Sequence, residues 1–285
     1  MPTMHSSGTA LDADWLGAAR AAADALRGIL RASPLTLERA VETGERGEGG
    51  DRTLVIDQEA EDAVFAQLDA LYAEGHRFIA ISEERGEVDY GGGPVRVVID
   101  PIDGSLNAKR LMPSCALSIA VADGPTMADV AFAFVYDFGT REEWSASRGG
   151  GARLDGMPLD PALPERRGRS GRLELLGIEQ ADPRWVAPLI EPLQQETERL
   201  RALGSIALTM CQVAAARMDA MLSLRRSRGV DAAAAQLIVR EAGGLVAFPA
   251  CDAGPLTAPL DVNAHSPVVC ARSPETLAAL SRLHC

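Results

Sequence analysis

The chain of 285 residues is long enough for one large two-lobed domain or two packed halves of about 150 residues each. With 47% hydrophobic and 24% charged residues it is too apolar and too evenly mixed for a disordered or fibrous chain. Its 28 basic and 40 acidic side chains leave a net charge of -12, which repels a phosphate backbone and argues against nucleic acid as a partner.

The five cysteines, Cys115, Cys211, Cys251, Cys270 and Cys285, form no C-x-x-C pair and suggest neither a disulfide framework nor a zinc cluster. A reducing cytoplasm is the expected compartment. No apolar run approaches the roughly 20 residues of a bilayer span, so no membrane is expected as a partner. Met1-Pro2-Thr3-Met4-His5-Ser6 also lacks the basic-then-apolar order of a signal peptide.

In chain order, Thr9-Ala10-Leu11-Asp12 is a loose relative of a capping box. Trp15, Ala19, Ala22, Leu26 and Ile29 then recur at helical spacing, predicting a helix to about Ala32, stopped by Pro34. Residues 44–50 carry four glycines and three charges and predict an exposed, mobile loop. Asp57 opens a second helix, with Ala60, Val64, Leu68 and Leu71 on one face to about Glu74. Two β-branched runs follow, residues 78–81 and 95–99, ending in acid at Glu83-Glu84 and at Asp100. Further strands are predicted at 116–122, 129–136 and 143–146, so this half reads as helices on a mainly antiparallel sheet.

The charged stretch 161–172 is the expected boundary between lobes, 1–160 and 161–285. Beyond it, strands at 173–177, 220–224 and 268–270 alternate with helices at 206–217 and 231–242 as an α/β layer would. A further helix over 185–195 must accommodate Pro188 and Pro192.

The most informative segment is Asp100-Pro101-Ile102-Asp103-Gly104-Ser105, where two carboxylates three residues apart close a strand. An acidic turn of the Asp-Gly type is one reading. The other gains from Glu83-Glu84 and Asp231, which also stand at the ends of elements, where sites are built. Clustered carboxylates need a compensating cation, and oxygen donors without nearby Cys or His suit magnesium better than zinc. Gly104 and Ser105 could then present backbone N–H groups to a phosphate.

These residues, followed by Glu241-Ala242-Gly243-Gly244, resemble the inositol monophosphatase family of magnesium-dependent, lithium-sensitive phosphatases, over about residues 51–244. Gly204-Ser205 with Arg201 upstream is similar to its dual fructose-1,6-bisphosphatase/inositol monophosphatase subgroup. The resemblance implies a layered αβαβα sandwich in two lobes, of mixed α+β and α/β character, and a homodimer. It also implies two or three magnesium ions held by Glu83, Asp100, the Ile102 carbonyl, Asp103 and Asp231, activating a water on a phosphorylated small molecule. Glu83, Asp57 and Ser105 would be catalytic, the last two orienting the water, and Gly104 and Ser105 would bind phosphate. Asp57 is equally readable as a helix cap. Asp51, in the glycine-rich loop, is a possible ligand of a third ion, or simply part of a solvated charged loop.

Substrate contacts are expected at Arg201, Ser205 and Arg228, the arginines, with Arg225 and Arg226, serving a second phosphate or forming surface ion pairs. Val230, Leu224 and Ala108 depart from the animal enzymes, Leu224 falling where an inositol-contacting Glu would stand, which weakens an inositol-only reading. Two other functions compete with a sugar or inositol phosphatase: a 3'-phosphoadenosine-type nucleotide phosphatase, for which aromatic stacking surface is scarce at 4% of residues, and a regulatory or binding protein that retains the fold.

Overall fold

The predicted first helix is α1, Trp15–Ala32, in a computed structural model that describes residues 10–48 and 52–284. Trp15, Ala19, Ala22 and Leu26 are buried, and the Asp14 carboxylate caps the first turn by accepting from the Gly17 amide at 2.9 Å. Asp14 therefore does the capping expected of the segment around Thr9, which itself lies outside the described residues. After the short α2, Thr36–Arg39, strands β1, Glu42–Arg46, and β2, Arg52–Leu54, pair antiparallel. The predicted loop is thus in part a hairpin, held by backbone hydrogen bonds that need no apolar side chain. It is anchored by the Glu48 amide, which donates to the Glu84 carbonyl at 3.2 Å.

Helix α3, Val55–Ala73, buries Ala60, Val64, Leu68 and Leu71 and packs beside α1. Next come β3, Phe78–Ser82, the long β4, Gly86–Asp103, and the single turn α4, Ser105–Lys109. The sheet continues through β5, Ala116–Ala122, β6, Val130–Asp137, β7, Glu143–Ser147, β8, Gly151–Leu154, and β9, Met157–Pro158, in simple sequential order. Strand β4 wraps around β3. Its first arm runs against β3 as a hairpin, Ser82 opposite Gly86 and Phe78 opposite Tyr90, and its second runs along it, Ile79 opposite Arg96 and Ser82 opposite Ile99.

In the second half stand β10, Leu176–Glu179, α5, Pro183–Val186, α6, Ile190–Glu196, and β11, Leu200–Arg201. The helix expected over 185–195 is broken by a 3-10 turn, Ala187–Leu189, that holds Pro188. Helix α7, Ile206–Ala214, stops short of 217, with Ala216 already in the left-handed region at φ 52. Then follow β12, Ala220–Ser223, β13, Ser227–Arg228, α8, Gly229–Glu241, β14, Leu245–Ala247, β15, Ala264–Ser266, β16, Val269–Ala271, and α9, Pro274–Ser281. Five of these strands form a mixed sheet in the order β11-β10-β12-β16-β14, and β13 pairs with β15.

The layers follow from which faces are apolar. Val97, Ile99, Leu117, Ile119 and Phe134 meet α1 and α3 on one face of the large sheet, and Val98, Ala120, Val135 and Trp144 meet α7 and α8 on the other. Both faces are covered, so the second arm of β4 and the whole of β5 read as largely apolar runs. The second sheet closes over α7 and α8 through Met221, Val246 and Cys270, and its far face meets Leu193 of α6 and Leu280 of α9. The result is the expected αβαβα sandwich. Helix α8 lies at its centre, and its run Ala232, Ala233, Ala234, Ala235 is small enough for two sheets to approach it closely. Among the described residues no helix is long and apolar enough to cross a membrane.

One buried acid under the large sheet makes stability pH-dependent. Glu61 of α3 accepts a hydrogen bond from the Ser82 hydroxyl, and burial pushes its carboxyl from 4.5 up to about 7. A carboxyl that holds its proton more tightly folded than unfolded favours the fold at low pH and loses that contribution as pH climbs from 4.5 to about 7. Glu61→Gln cannot ionise, so its stability relative to wild type is expected to rise by about 3 kcal/mol between mildly acidic and mildly alkaline solution. Urea denaturation at the two pH values checks this, and an unchanged difference would show that Glu61 ionises freely in the fold.

Candidate active site

The acids expected at element ends converge at one end of the large sheet. Glu83 follows β3, Asp100 lies near the end of β4, and Asp231 sits in the first turn of α8. One carboxylate oxygen from each lies within 4.8 Å of the others, the group among the described residues suited to a cation. Local sequence explains the aim of Asp100: Pro101 fixes the backbone and the Ile102 amide donates to Asp100 Oδ1 at 3.0 Å, while the pairing of β4 with β5 shifts register between Asp100 and Asp103. Gly104 then takes φ 90, a left-handed turn, and launches α4.

A cleft of about 320 Å³ opens beside these acids, lined by Asp57, Glu83, Glu84, Asp100, Pro101, Ile102, Ser105 and Lys109, with Leu54 and Leu106. Lys109 and Glu84 are lining residues outside the expected set. Lys109 was legible: on a helical turn it shares the face of Ser105 four residues earlier. Asp57 lines the cleft and also accepts from the Leu54 amide at 3.3 Å, so it caps α3 while facing the site. Asp51 lies outside the described residues.

The electrostatics are those of acids brought together out of water. Burial pushes the Glu83 carboxyl up to about 7 against the pull of Arg228. Asp100 is held well above its ordinary value by burial and then by Glu83, Asp103 and Asp231. Burial likewise pushes Asp103 up to about 7, although Ser205 and the Ala207 amide oppose this. The cation that answers them is Arg228. Its Nη1 donates to Glu83 Oε1, its Nε donates to Asp231 Oδ1 at 3.1 Å, and its own amide donates to Asp231 Oδ2 at 3.0 Å.

The donor set is therefore hard oxygen from three chain segments, an acidic cluster that could hold a metal ion, with a guanidinium drawn among its carboxylates. A model of the inositol monophosphatase family matches residues 12–284. The chain belongs to the inositol monophosphatase family. Membership makes it a phosphatase. The fructose-1,6-bisphosphatase/inositol-1-monophosphatase of Methanothermobacter thermautotrophicus is 34% identical over 226 residues, covering 75% of this chain and 78% of that protein. The Nus factor SuhB of Escherichia coli K12 is 34% identical over 211 residues, 73% of this chain and 75% of its own. A solved inositol monophosphatase-fructose 1,6-bisphosphatase shares the fold with a TM-score of 0.79 at 24% identity, covering 95% of this chain and 100% of that one. The extragenic suppressor protein suhB of Bartonella henselae gives 0.75 at 22% identity, covering 95% and 98%. These two structural likenesses speak for the fold alone.

In this inositol monophosphatase family member, three expected substrate contacts are placed differently from the open cleft face. Ser205 is buried: its hydroxyl donates to Asp103 Oδ2 at 2.5 Å and accepts from the Leu208 amide at 3.2 Å. It caps α7 and orients Asp103, which also accepts from the Ala207 amide at 2.7 Å. Arg201 is exposed on β11 and donates to its neighbour's carbonyl, Leu200, at 2.8 Å, outside the cleft lining. Arg228 is turned onto the acids rather than presented to a distal phosphate, because two carboxylates within reach outweigh solvent for a half-buried guanidinium.

Two supporting residues carry no motif. Buried Glu179, at the end of β10, accepts from the Leu203 and Gly204 amides at 2.9 Å each and from the Thr209 hydroxyl at 2.5 Å, fixing the loop before α7. Asn107 of α4 ties that loop to the first half by donating to the Leu203 and Ser114 carbonyls, each at 2.7 Å. Asn107 reaches Leu203 across 96 residues and Glu179 reaches Thr209 across 30, so only the folded chain reveals them.

Proposed function

We propose that the chain is a magnesium-dependent phosphomonoesterase acting on a sugar or inositol phosphate, with fructose-1,6-bisphosphate and inositol monophosphate as first candidates. The observation that carries the reading is the convergence of Glu83, Asp100 and Asp231 oxygens within 4.8 Å, with Glu83 and Asp100 lining an open cleft together with Ser105. Those three acids, with the Ile102 carbonyl and Asp103, would hold two or three ions. A divalent cation there supplies Lewis acidity, polarising phosphate oxygens and acidifying water near neutral pH.

The chain's own groups have distinct tasks in this reading. Asp57 accepts a hydrogen bond through its carboxylate and, with the Ser105 hydroxyl, orients the attacking water toward phosphorus. Gly104 and Ser105 receive the phosphate, and Lys109 on the same wall adds a positive charge for its oxygens. Ser205 acts through Asp103 as a positioning residue. The division at about residue 160, a homodimeric state and a cytoplasmic setting, compatible with free thiols at Cys115, Cys211, Cys251 and Cys270, complete the proposal.

Among the described residues, those lining the cleft supply no aromatic ring to stack an adenine, which speaks against a 3'-phosphoadenosine substrate. Relatives named Nus factor SuhB favour a second reading, in which this chain also serves as a Nus factor. Phosphate release from sugar, inositol and nucleotide phosphates, each with magnesium and with excess chelator, separates the readings. Magnesium-dependent release from a sugar or inositol phosphate is expected. Release undiminished by chelator would remove the metal from the reaction, and release from the nucleotide alone would change the substrate class.

A further inference from the structure

We propose that Arg228 is the built-in counter-cation of the acidic cluster, and that a divalent ion enters this site by displacing its guanidinium, so that Arg228 sets how tightly the site takes metal. The proposal rests on the metal reading above and assigns Arg228 a task other than binding substrate.

Geometry makes the two cations alternatives. Arg228 Nη1 occupies Glu83 Oε1, and its Nε and Nη2 occupy Asp231 Oδ1 at 3.1 Å and 3.0 Å. These belong to the same carboxylates whose oxygens converge within 4.8 Å with that of Asp100. A magnesium ion needs such oxygens at about 2.1 Å in a near-octahedral shell, and lone pairs already directed at guanidinium protons are not available to it. One of the two cations leaves.

Lys109 lines the same cleft but, among the described residues, makes no ion pair with these acids. Among the described residues, Glu83, Asp100 and Asp231 are answered by Arg228, whereas Arg225 lies 5.1 Å over the Trp185 ring and Arg201 is turned to its own backbone. The exchange does not demand that α8 unwind. The Arg228 amide, held by Asp231 Oδ2 at 3.0 Å, keeps the helix start in place while the side chain swings on its four rotatable bonds. Its side chain is 22% exposed, so a path to solvent is already open.

The test is magnesium binding by isothermal titration calorimetry on the full chain, with melting temperatures in chelator and in saturating magnesium, for wild type, Arg228→Gln and Arg228→Lys. Wild type is expected to bind magnesium, and Arg228→Gln to bind it at least about tenfold more tightly, a change of about 1.4 kcal/mol. The same variant should melt lower than wild type in chelator, because three acids lose their partner, and gain more on magnesium addition. Folding of Arg228→Gln only when magnesium is present would be the extreme form of that result. Arg228→Lys keeps the charge but not the planar fork that spans Glu83 and Asp231, so its affinity should lie at least about threefold above wild type. It decides the matter if Arg228→Gln folds in neither condition. Equal or weaker magnesium binding by the variants, with wild type binding normally, overturns the role of Arg228 and leaves the metal reading standing. Absence of magnesium binding in every form overturns both.

Discussion

Asp100→Asn is expected to lower kcat/KM for phosphate release at least about a thousandfold, or about 4 kcal/mol of transition-state stabilisation, without harming the fold. The amide keeps the volume of the carboxylate and an oxygen to accept from the Ile102 amide, now at 3.0 Å, so the turn at Pro101 survives. What it lacks is the charge at the centre of the cluster. Because burial and three neighbouring acids hold the Asp100 carboxyl well above its ordinary range, that charge weakens the metal-free fold as pH rises, and its removal relieves the strain. The variant should therefore melt at or above the wild-type temperature in chelator at mildly alkaline pH while having almost no activity in magnesium. Calorimetry and a phosphate-release assay on one preparation check both halves. Wild-type turnover would remove Asp100 from the machinery, and a collapsed melting curve would make the loss structural.

Gly104→Ala is expected to cost about 2 to 4 kcal/mol of stability and to depress turnover about a hundredfold. A Cβ there would stand 2.8 Å from the Ser114 carbonyl oxygen and 3.0 Å from that of Gly204, at φ 90. Neither obstacle is a side chain that can swing away, so the loop carrying Asp103 and Ser105 must shift. Gly149→Ala is the control: it also has a left-handed backbone, φ 72, but a Cβ would meet nothing within 4 Å. Only the conformational cost, about 1 kcal/mol, should appear there. Equal losses in urea denaturation would mean that backbone conformation alone, and not the close approach of two chain segments, requires glycine at position 104.

Much of this was legible in the residues because the signals are local. Periodicity found α1, α3 and the runs of β4 and β5, and the acids at their ends marked where a site would form. Long-range relations were not legible. Nothing in the composition of residues 44–50 separates a solvated loop from β1, whose pairing is made by backbone groups. The first arm of β4, rich in charge and glycine, pairs for the same reason. Ser205 reads as a substrate contact through the likeness of Gly204-Ser205 and Arg201 to the dual subgroup, yet Asp103 lies close enough in the fold to take its hydroxyl. Arg228 read as a phosphate ligand because an arginine's charge is visible in a sequence and its nearest carboxylates are not. Glu179 and Asn107 carry no motif, and their importance lies in the amides and carbonyls they reach.

The placement of α8 ties chemistry to assembly. Asp231 arrives on a helix gripped between the two sheets, while Glu83 and Asp100 ride on the first sheet alone, and the contact of Arg228 with Glu83 joins residues 145 apart in sequence. A nascent or partly unfolded chain with one sheet intact thus carries only a fragment of the constellation and has nowhere to gather a cation. Loop-closure entropy delays contacts of such span until most of the chain has condensed. On the proposed reading of the site, activity therefore reports completed folding, since it needs both sheets in place around α8.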